Sequence, residues 1–317
     1  MVSGLRSLFT RTVQTIALAR KKNGANCSPS ARINGSEEDI FVVFDKEQEL
    51  KSLCAVMRRE LIEALHSIQT GHPGGSLSCC EILCTLYFEI MNVDPSNPKL
   101  PSRDRLILSK GHAAPMLYLC LAHKGYFSID EMKNLRQIDS ILQGHPCATK
   151  TPGVELSTGP LGLGLSAGIG MAESAKLMGE DYNVYVILGD GELQEGAVWE
   201  AAMSASKYKT ENLIAIVDYN GVQLDGKTDE IMPLGDIGAK FASFGWHVLH
   251  TDGHDIAELS DILNKAHAHR KDPVAIIAKT VKGKGVSFME GKSEWHGKPI
   301  SDAEYSAAIS ELGGATV

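Results

Sequence analysis

Asp190 and Asn220 offer the most specific chemistry in the chain. Gly189-Asp190-Gly191 closes an apolar run, Val184–Leu188, and Asp218-Tyr219-Asn220 closes a second, Leu213–Val217. Asp190 supplies a hard carboxylate oxygen and Asn220 an amide oxygen, the donor types that Mg2+ and Ca2+ select. The glycines flanking Asp190 carry no side chain, so a phosphate oxygen can approach the backbone and the helix start that follows. A divalent cation held by two or three protein oxygens completes its shell with diphosphate oxygens and water, so the implied ligand is a metal–diphosphate. The tripeptide alone reads equally as a turn with an aspartate cap; Asn220 at the end of the next strand favours the site. Four histidines also stand at loop positions: His72 in Gly71-His72-Pro73-Gly74-Gly75, His112 in Ser109-Lys110-Gly111-His112, His145 in Gly144-His145-Pro146 and His296 in Trp295-His296-Gly297. Taken singly, a loop histidine is more often a surface residue than a catalyst.

The elements that must position these residues follow from periodicity. The two apolar runs have no polar alternation, as strands buried on both faces of a parallel sheet do. Val198, Ala201, Ala202 and Ala205 recur at helical spacing between them, which makes one strand–helix–strand unit with polar side chains at the carboxyl ends of its strands. Upstream, Leu50 to Leu65 predicts a helix over 45–66, a second helix carries Ile82, Leu83, Leu86 and Phe88, and a short strand Leu106–Leu108 leads into a helix over 115–122. Ser157 to Gly164 is a glycine-rich loop opening a small-residue helix over 166–171; tight helix packing is its plain explanation. Downstream, strands over 245–249 and 274–278 flank a helix over 255–268 capped by Asp252-Gly253-His254-Asp255, and a last helix covers 301–312. The fold class is α/β, a central mostly parallel sheet flanked by helices on both faces.

Gly189-Asp190-Gly191, about thirty residues, then Asn220 resembles the thiamine-diphosphate motif, and GDGELQEGAVWEA resembles the amino-terminal, diphosphate-binding part of transketolase. Six segments match that family in order, from about Phe44 to Leu312. The resemblance implies Mg2+ or Ca2+ held by Asp190, Asn220 and the Val222 carbonyl, with thiamine diphosphate against His112, Gly191 and His296. It implies Gly159 and Leu161 of the glycine-rich loop against the aminopyrimidine and Leu224 against the thiazolium ring. His72, His145 and His296 then face the substrate and move protons. Glu195 lies near the cofactor and the subunit interface, in a carboxylate relay between two active sites; its plainer role is to complement a helix dipole. Two departures stand out: Tyr219 where the wider motif often has Asn, and Leu163 where the family usually has Gln.

A full transketolase is about twice as long as this chain. The absent half carries the pyrimidine-binding domain, with the Glu that promotes the imino tautomer of the cofactor, and most of the phosphate-binding residues for sugars. The resemblance therefore implies the amino-terminal subunit of a split transketolase. It would transfer a two-carbon ketol unit from a ketose phosphate to an aldose phosphate with a separate carboxyl-terminal subunit, as a heterotetramer. One rival is the α-type subunit of a thiamine-diphosphate-dependent 2-oxo-acid dehydrogenase or decarboxylase, but four histidines suit a hydroxylated sugar better. The other is a non-catalytic cofactor-binding protein, against which the intact metal ligands argue.

Composition agrees with this class. Length 317, hydrophobic content 43% and charged content 22% suit one large globular unit. The net charge of −8 argues against a general nucleic-acid surface, and no apolar run reaches the ~18 residues of a membrane helix. Seven cysteines without zinc-like pairing read as reduced core thiols. Residues 1–40 are basic and acid-poor up to Glu37, and are set apart from the domain over 41–317 as a disordered extension, a transit peptide or sequence upstream of a later start; Ile16–Ala19 is too short for a secretory core. The expected location is cytoplasmic.

Overall fold

Alternation along five strands divides the core in two. The computed structural model describes residues 37–313, with side chains from Lys46 onward. Strands β1 (Arg105–Leu108), β2 (Val184–Gly189), β3 (Leu213–Tyr219), β4 (His247–Asp252) and β5 (Val274–Lys279) form one sheet in the order β1-β2-β3-β5-β4. Every pairing is parallel. Leu106, Tyr185, Ile187, Ile214 and Ile276 enter one apolar cluster, while Ile107, Val184, Val186, Ala215 and Ile277 enter the other. Both faces being covered explains why these strands carry no polar alternation.

Helices α1 (Glu37–Ile68), α2 (Pro73–Ser78), α3 (Cys80–Thr85) and α4 (Ala114–Lys124) pack on the first face. On the second lie α5 (Gly164–Met178), α6 (Gly196–Tyr208) and α7 (Ile237–Ser243); α8 (Ile256–Ala268) returns to the first face, and α9 (Asp302–Glu311) follows. The helix after β1 thus goes to one face and the helix after β2 to the other. A crevice opens between the carboxyl ends of these two strands, where open α/β sheets bind ligands.

Several boundaries differ from expectation. The small-residue helix runs to Met178, well beyond Met171, because Ala172 and Ala175 continue its buried face until Gly179 ends it in the left-handed conformation. The fourth strand begins at His247, not Gly245, since Gly245 has φ +89° in the turn that precedes it. The Gly-His-Pro-Gly-Gly segment is not a loop throughout: Pro73 starts α2, and Gly74 and Gly75 lie in its buried first turn. Proline is pre-set for that first position, where its missing N–H costs nothing.

The first helix starts at Glu37, ahead of residue 41, and residues 1–36 lie outside the described ones. Of the cysteines, Cys54, Cys79, Cys80, Cys84 and Cys120 are buried; Cys147 is only half-buried, on the loop after His145, and so is not a core thiol. Cys27 lies outside the described residues. Among the described residues no helix is long and apolar enough to cross a membrane.

Candidate functional site

Each strand end contributes one wall of the crevice. After β1, Ser109-Lys110 leads into a short turn, Gly111–Ala113, that presents His112 at the entry to α4. After β2, Asp190 accepts the N–H of Gly191 through Oδ1 (2.8 Å) and that of Gly221 through Oδ2. After β3, Asn220 Oδ1 accepts the Val222 N–H at 3.1 Å, folding residues 220–222 into a turn beside Asp190. The segment before α2 brings His72, whose ring sits 5.5 Å from His112, 5.8 Å from His145 and 5.4 Å from His296, centroid to centroid. His112 and His296 are 4.8 Å apart. Four histidines far apart in the sequence thus meet in one place.

That place is a cavity of about 380 Å³, lined by His72, His112, His145, Gly159, Leu161, Asp190, Gly191, Glu195, Asn220, Val222, Leu224 and His296. Every residue given a metal, cofactor or substrate role by the resemblance therefore reaches it. A larger hollow of about 570 Å³ lies over the ends of β3, β5 and β4, between Tyr219, His250 and Lys279, and receives none of those role-bearing residues.

Sequence reasoning missed three contributors. Lys282, only 2% exposed, donates to the carbonyls of Val222 (3.3 Å) and Gln223 (3.2 Å) and stands 3.1 Å from His296 Nδ1. Glu192, also 2% exposed, accepts the hydroxyl of Ser109 and the N–H groups of Gly162 (2.8 Å) and Gly189 (3.0 Å). One carboxylate thereby ties the β1 end, the glycine-rich loop and the β2 end together. Its signal was its place directly after Gly191. Lys110, in the turn before His112, forms a fully buried ion pair with Asp218 and donates to the Gly75 carbonyl at 2.9 Å.

Glu195 is the N-cap residue of α6, in extended conformation and exposed, and its side chain makes no capping hydrogen bond. A 3-10 turn, Gly191–Gln194, intervenes between Asp190 and α6 and sets Glu195 at the helix cap, ahead of the first helical turn.

The segment after β5, which carries Lys282 and His296, is anchored from outside the cavity. Gly283 N–H donates to the Gly74 carbonyl at 3.0 Å. Arg58, buried, pairs with Glu81 at 2.6 Å; Glu81 holds His254 Nδ1 at 2.9 Å, and His254 Nε2 accepts the Val281 N–H. Burial alone would raise the Glu81 pKa, but Arg58 and His254 hold it down, at about 2.

The electrostatics of the cavity run in two directions. Burial, with Asp218 nearby, raises Asp190 to about 6. Burial and neighbouring positive charge lower His72 to about 4, His296 to about 3 and Lys282 to about 8, and push His112 well below its ordinary value. A carboxylate short of positive charge therefore faces bases that are short of negative charge.

A metal–diphosphate fits this donor set. Asp190, Asn220 and the Val222 carbonyl are oxygen donors on adjacent strand ends. His72 Nδ1 is buried with no partner, an atom in want of one. A Cβ on Gly191 would come within 2.7 Å of Gln223 Cβ, so a side chain there must shift that turn, and one on Gly75 would press at 3.0 Å on His112 Nε2.

The comparisons with known proteins agree with the geometry. Residues 50–316 match the family described as transketolase, thiamine diphosphate binding domain. The chain is 42% identical over 268 residues to a 6-deoxy-6-sulfo-D-fructose transketolase subunit of Clostridium sp., covering 84% of this chain and 98% of that protein. It is 43% identical over 256 residues to an apulose-4-phosphate transketolase subunit of Phocaeicola vulgatus, covering 80% of this chain and 90% of that protein. The crystal structure of transketolase from Campylobacter jejuni superposes with a TM-score of 0.80 at 34% identity, covering 84% of this chain but only 43% of that one.

Proposed function

The chain belongs to the transketolase family, as its thiamine-diphosphate-binding part, and from that premise we propose that it is the amino-terminal half of an enzyme moving a two-carbon ketol unit between sugar phosphates, completed by a separate carboxyl-terminal subunit. The observation that carries this reading is the convergence of three metal-type oxygens and four histidines on one cavity at the carboxyl ends of β1, β2 and β3. Its fit to nearly the whole length of two proteins named as subunits supports a partner supplied in trans.

Asp190, Asn220 and the Val222 carbonyl would hold Mg2+ or Ca2+, and His112, Gly191, Lys282 and His296 the diphosphate. Gly159, Leu161 and Leu224 would bear on the rings. Thiamine diphosphate, when bound, supplies a thiazolium carbon acidic enough to attack a ketose carbonyl once deprotonated. His72, His145 and His296 enter neutral at pH 7, because burial and positive neighbours hold all three below their ordinary value. Neutral imidazoles can accept a hydroxyl proton as the sugar bond breaks and return it to the acceptor sugar. Glu195 stands exposed at the rim, where a carboxylate reaches a neighbouring subunit. Leu161 and Leu224, 38% and 58% exposed, leave an apolar mouth that a partner subunit would cover. We assign a heterotetramer, two copies of each subunit, located in the cytoplasm. Substrates are ketose and aldose phosphates or similarly anionic sugars, in line with the sulfo- and phospho-sugars named for the two relatives.

Hydrogen–deuterium exchange at C2 of bound thiamine diphosphate, followed by NMR with Mg2+ present, tests this without a choice of sugar. Exchange should be slow with this chain alone and fast once a candidate carboxyl-terminal subunit, such as the product of an adjacent gene, is added. Fast exchange with the chain alone would mean that it carries its own activating acid, and the split-enzyme reading would fall.

A further inference from the structure

His72, at the cap of α2, and His145, in the loop before the glycine-rich segment, have rings 5.8 Å apart. From inside, the Tyr118 hydroxyl lies 2.9 and 3.0 Å from the carbonyls of Gln143 and His145 and so supports the second segment only. From outside, one side chain touches both. Arg136 Nη1 donates to Thr70 Oγ1 at 3.0 Å, two residues before His72. The rest of its guanidinium lies over Gly144, the residue before His145: a Cβ there would come within 2.7 Å of Nε and Nη2 and 3.0 Å of Cζ. Arg136 itself is held with φ +62°, in the left-handed region that non-glycine residues rarely adopt, and its N–H is fixed to the Leu142 carbonyl at 2.8 Å.

We propose that Arg136 is a positioning residue for the substrate end of the cavity, whose guanidinium clamps the His72 and His145 segments together so that both imidazoles face the same reacting atoms. The catalytic part of this inference rests on the reading that these two histidines contact the sugar; the clamp itself does not. A planar fork can hold a hydroxyl on one edge and lie over a glycine on the other, whereas an ammonium cannot do both. The same charge also bears on both rings. After burial, Arg136 is the main cause holding His145 below its ordinary value. His72 is likewise lowered by burial, then Arg136, His145 and Lys282, with the His112 and His296 rings packed beside it. The clamp thus also keeps the two imidazoles in their basic form.

The test is an NMR titration of the full chain with ring-labelled histidines, comparing the parent with Arg136→Ala, Arg136→Lys and Thr70→Val. In Arg136→Ala, His72 and His145 should titrate at higher pH than in the parent, with their signals broadened, while His112 and His296 are unmoved. Arg136→Lys should return the midpoints toward the parent's but not the sharp signals. Thr70→Val keeps the charge and severs the hydrogen bond, so it should broaden His72 without moving its midpoint. It also keeps the test decisive if the alanine variant does not fold. With the partner subunit present, Arg136→Ala should lower kcat/KM on the order of 10- to 100-fold while thiamine diphosphate binds as before. Parent-like midpoints and line widths in Arg136→Ala, or an unmoved His72 line in Thr70→Val, would overturn the clamp. Altered titrations together with failed C2 exchange in the parent would retain the clamp and discard the reaction.

Discussion

Replacing Lys110 by Met should destabilise the chain by about 3 kcal/mol, at the low end of the 3–5 kcal/mol typical of breaking a buried ion pair. The pair with Asp218 is fully buried, at 1% and 0% side-chain exposure. Burial disfavours both charges, yet their mutual attraction leaves Lys110 above and Asp218 below its ordinary value. The figure belongs at the low end because Asp218 would keep two donors, the hydroxyls of Ser78 (2.5 Å) and Thr280. Asp218→Asn on the same background removes the stranded charge and should recover half or more of the loss, since most of the cost lies in the unpaired ion. Urea unfolding followed by circular dichroism and tryptophan fluorescence gives all four corners of the cycle. A single-variant loss below about 1 kcal/mol, or a double variant no better than Lys110→Met, would refute the reasoning. The consequence reaches the site: Lys110 lies two residues before His112 and Asp218 two before Asn220, so the pair braces the two strand ends that carry them.

Three further outcomes are expected. Gly191→Ala places a Cβ 2.7 Å from Gln223 Cβ and must displace the turn carrying Asn220 and Val222; calorimetry with Mg2+ and thiamine diphosphate should show affinity down about tenfold or more with Tm nearly unchanged. His72 titrates at about 4 when folded, against an ordinary 6.5, so the folded chain takes up this proton later than the unfolded one. Its share of stability is complete above pH 6.5 and is lost as pH falls toward about 4, and His72→Asn should flatten Tm against pH in that window. Ser301→Ala removes a capping box in which Ser301 accepts the Glu304 N–H and Glu304 accepts the Ser301 N–H at 2.9 Å; about 1 kcal/mol should be lost, read as a drop of about 2 °C in Tm.

The sheet was legible because its cause is local. Val184–Gly189 and Leu213–Tyr219 are buried on both faces, and a run without polar alternation records that directly. The site residues were legible through motif context: nothing in a lone loop histidine says that its ring meets three others. What escaped was pairing over distance. Lys110 finds Asp218 across 108 residues and Lys282 finds Val222 across 60, and no periodicity encodes either. The start of α2 at Pro73 was hidden by its two glycines, which read as loop but are required by close neighbours: a Cβ on Gly74 would meet the Trp295 carbonyl at 2.8 Å. Glu192 was passed over for Glu195 because depth, not type, separates two carboxylates three residues apart; one is buried and triply bonded, the other exposed at a helix cap.

The opposed shifts in the cavity narrow the ligand further than any one residue does. A bare anion would relieve Lys282, His112 and His296, which burial and mutual repulsion hold below their ordinary values, but it would burden Asp190 further. A bare divalent cation would relieve Asp190 and depress the bases more. A ligand carrying both signs, with its cation toward Asp190 and its anion toward Lys282, His112 and His296, relieves these four groups together. A metal–diphosphate has that polarity. A cavity tuned to one would bind neither the metal nor the diphosphate well alone, so the affinity of each should depend on the presence of the other.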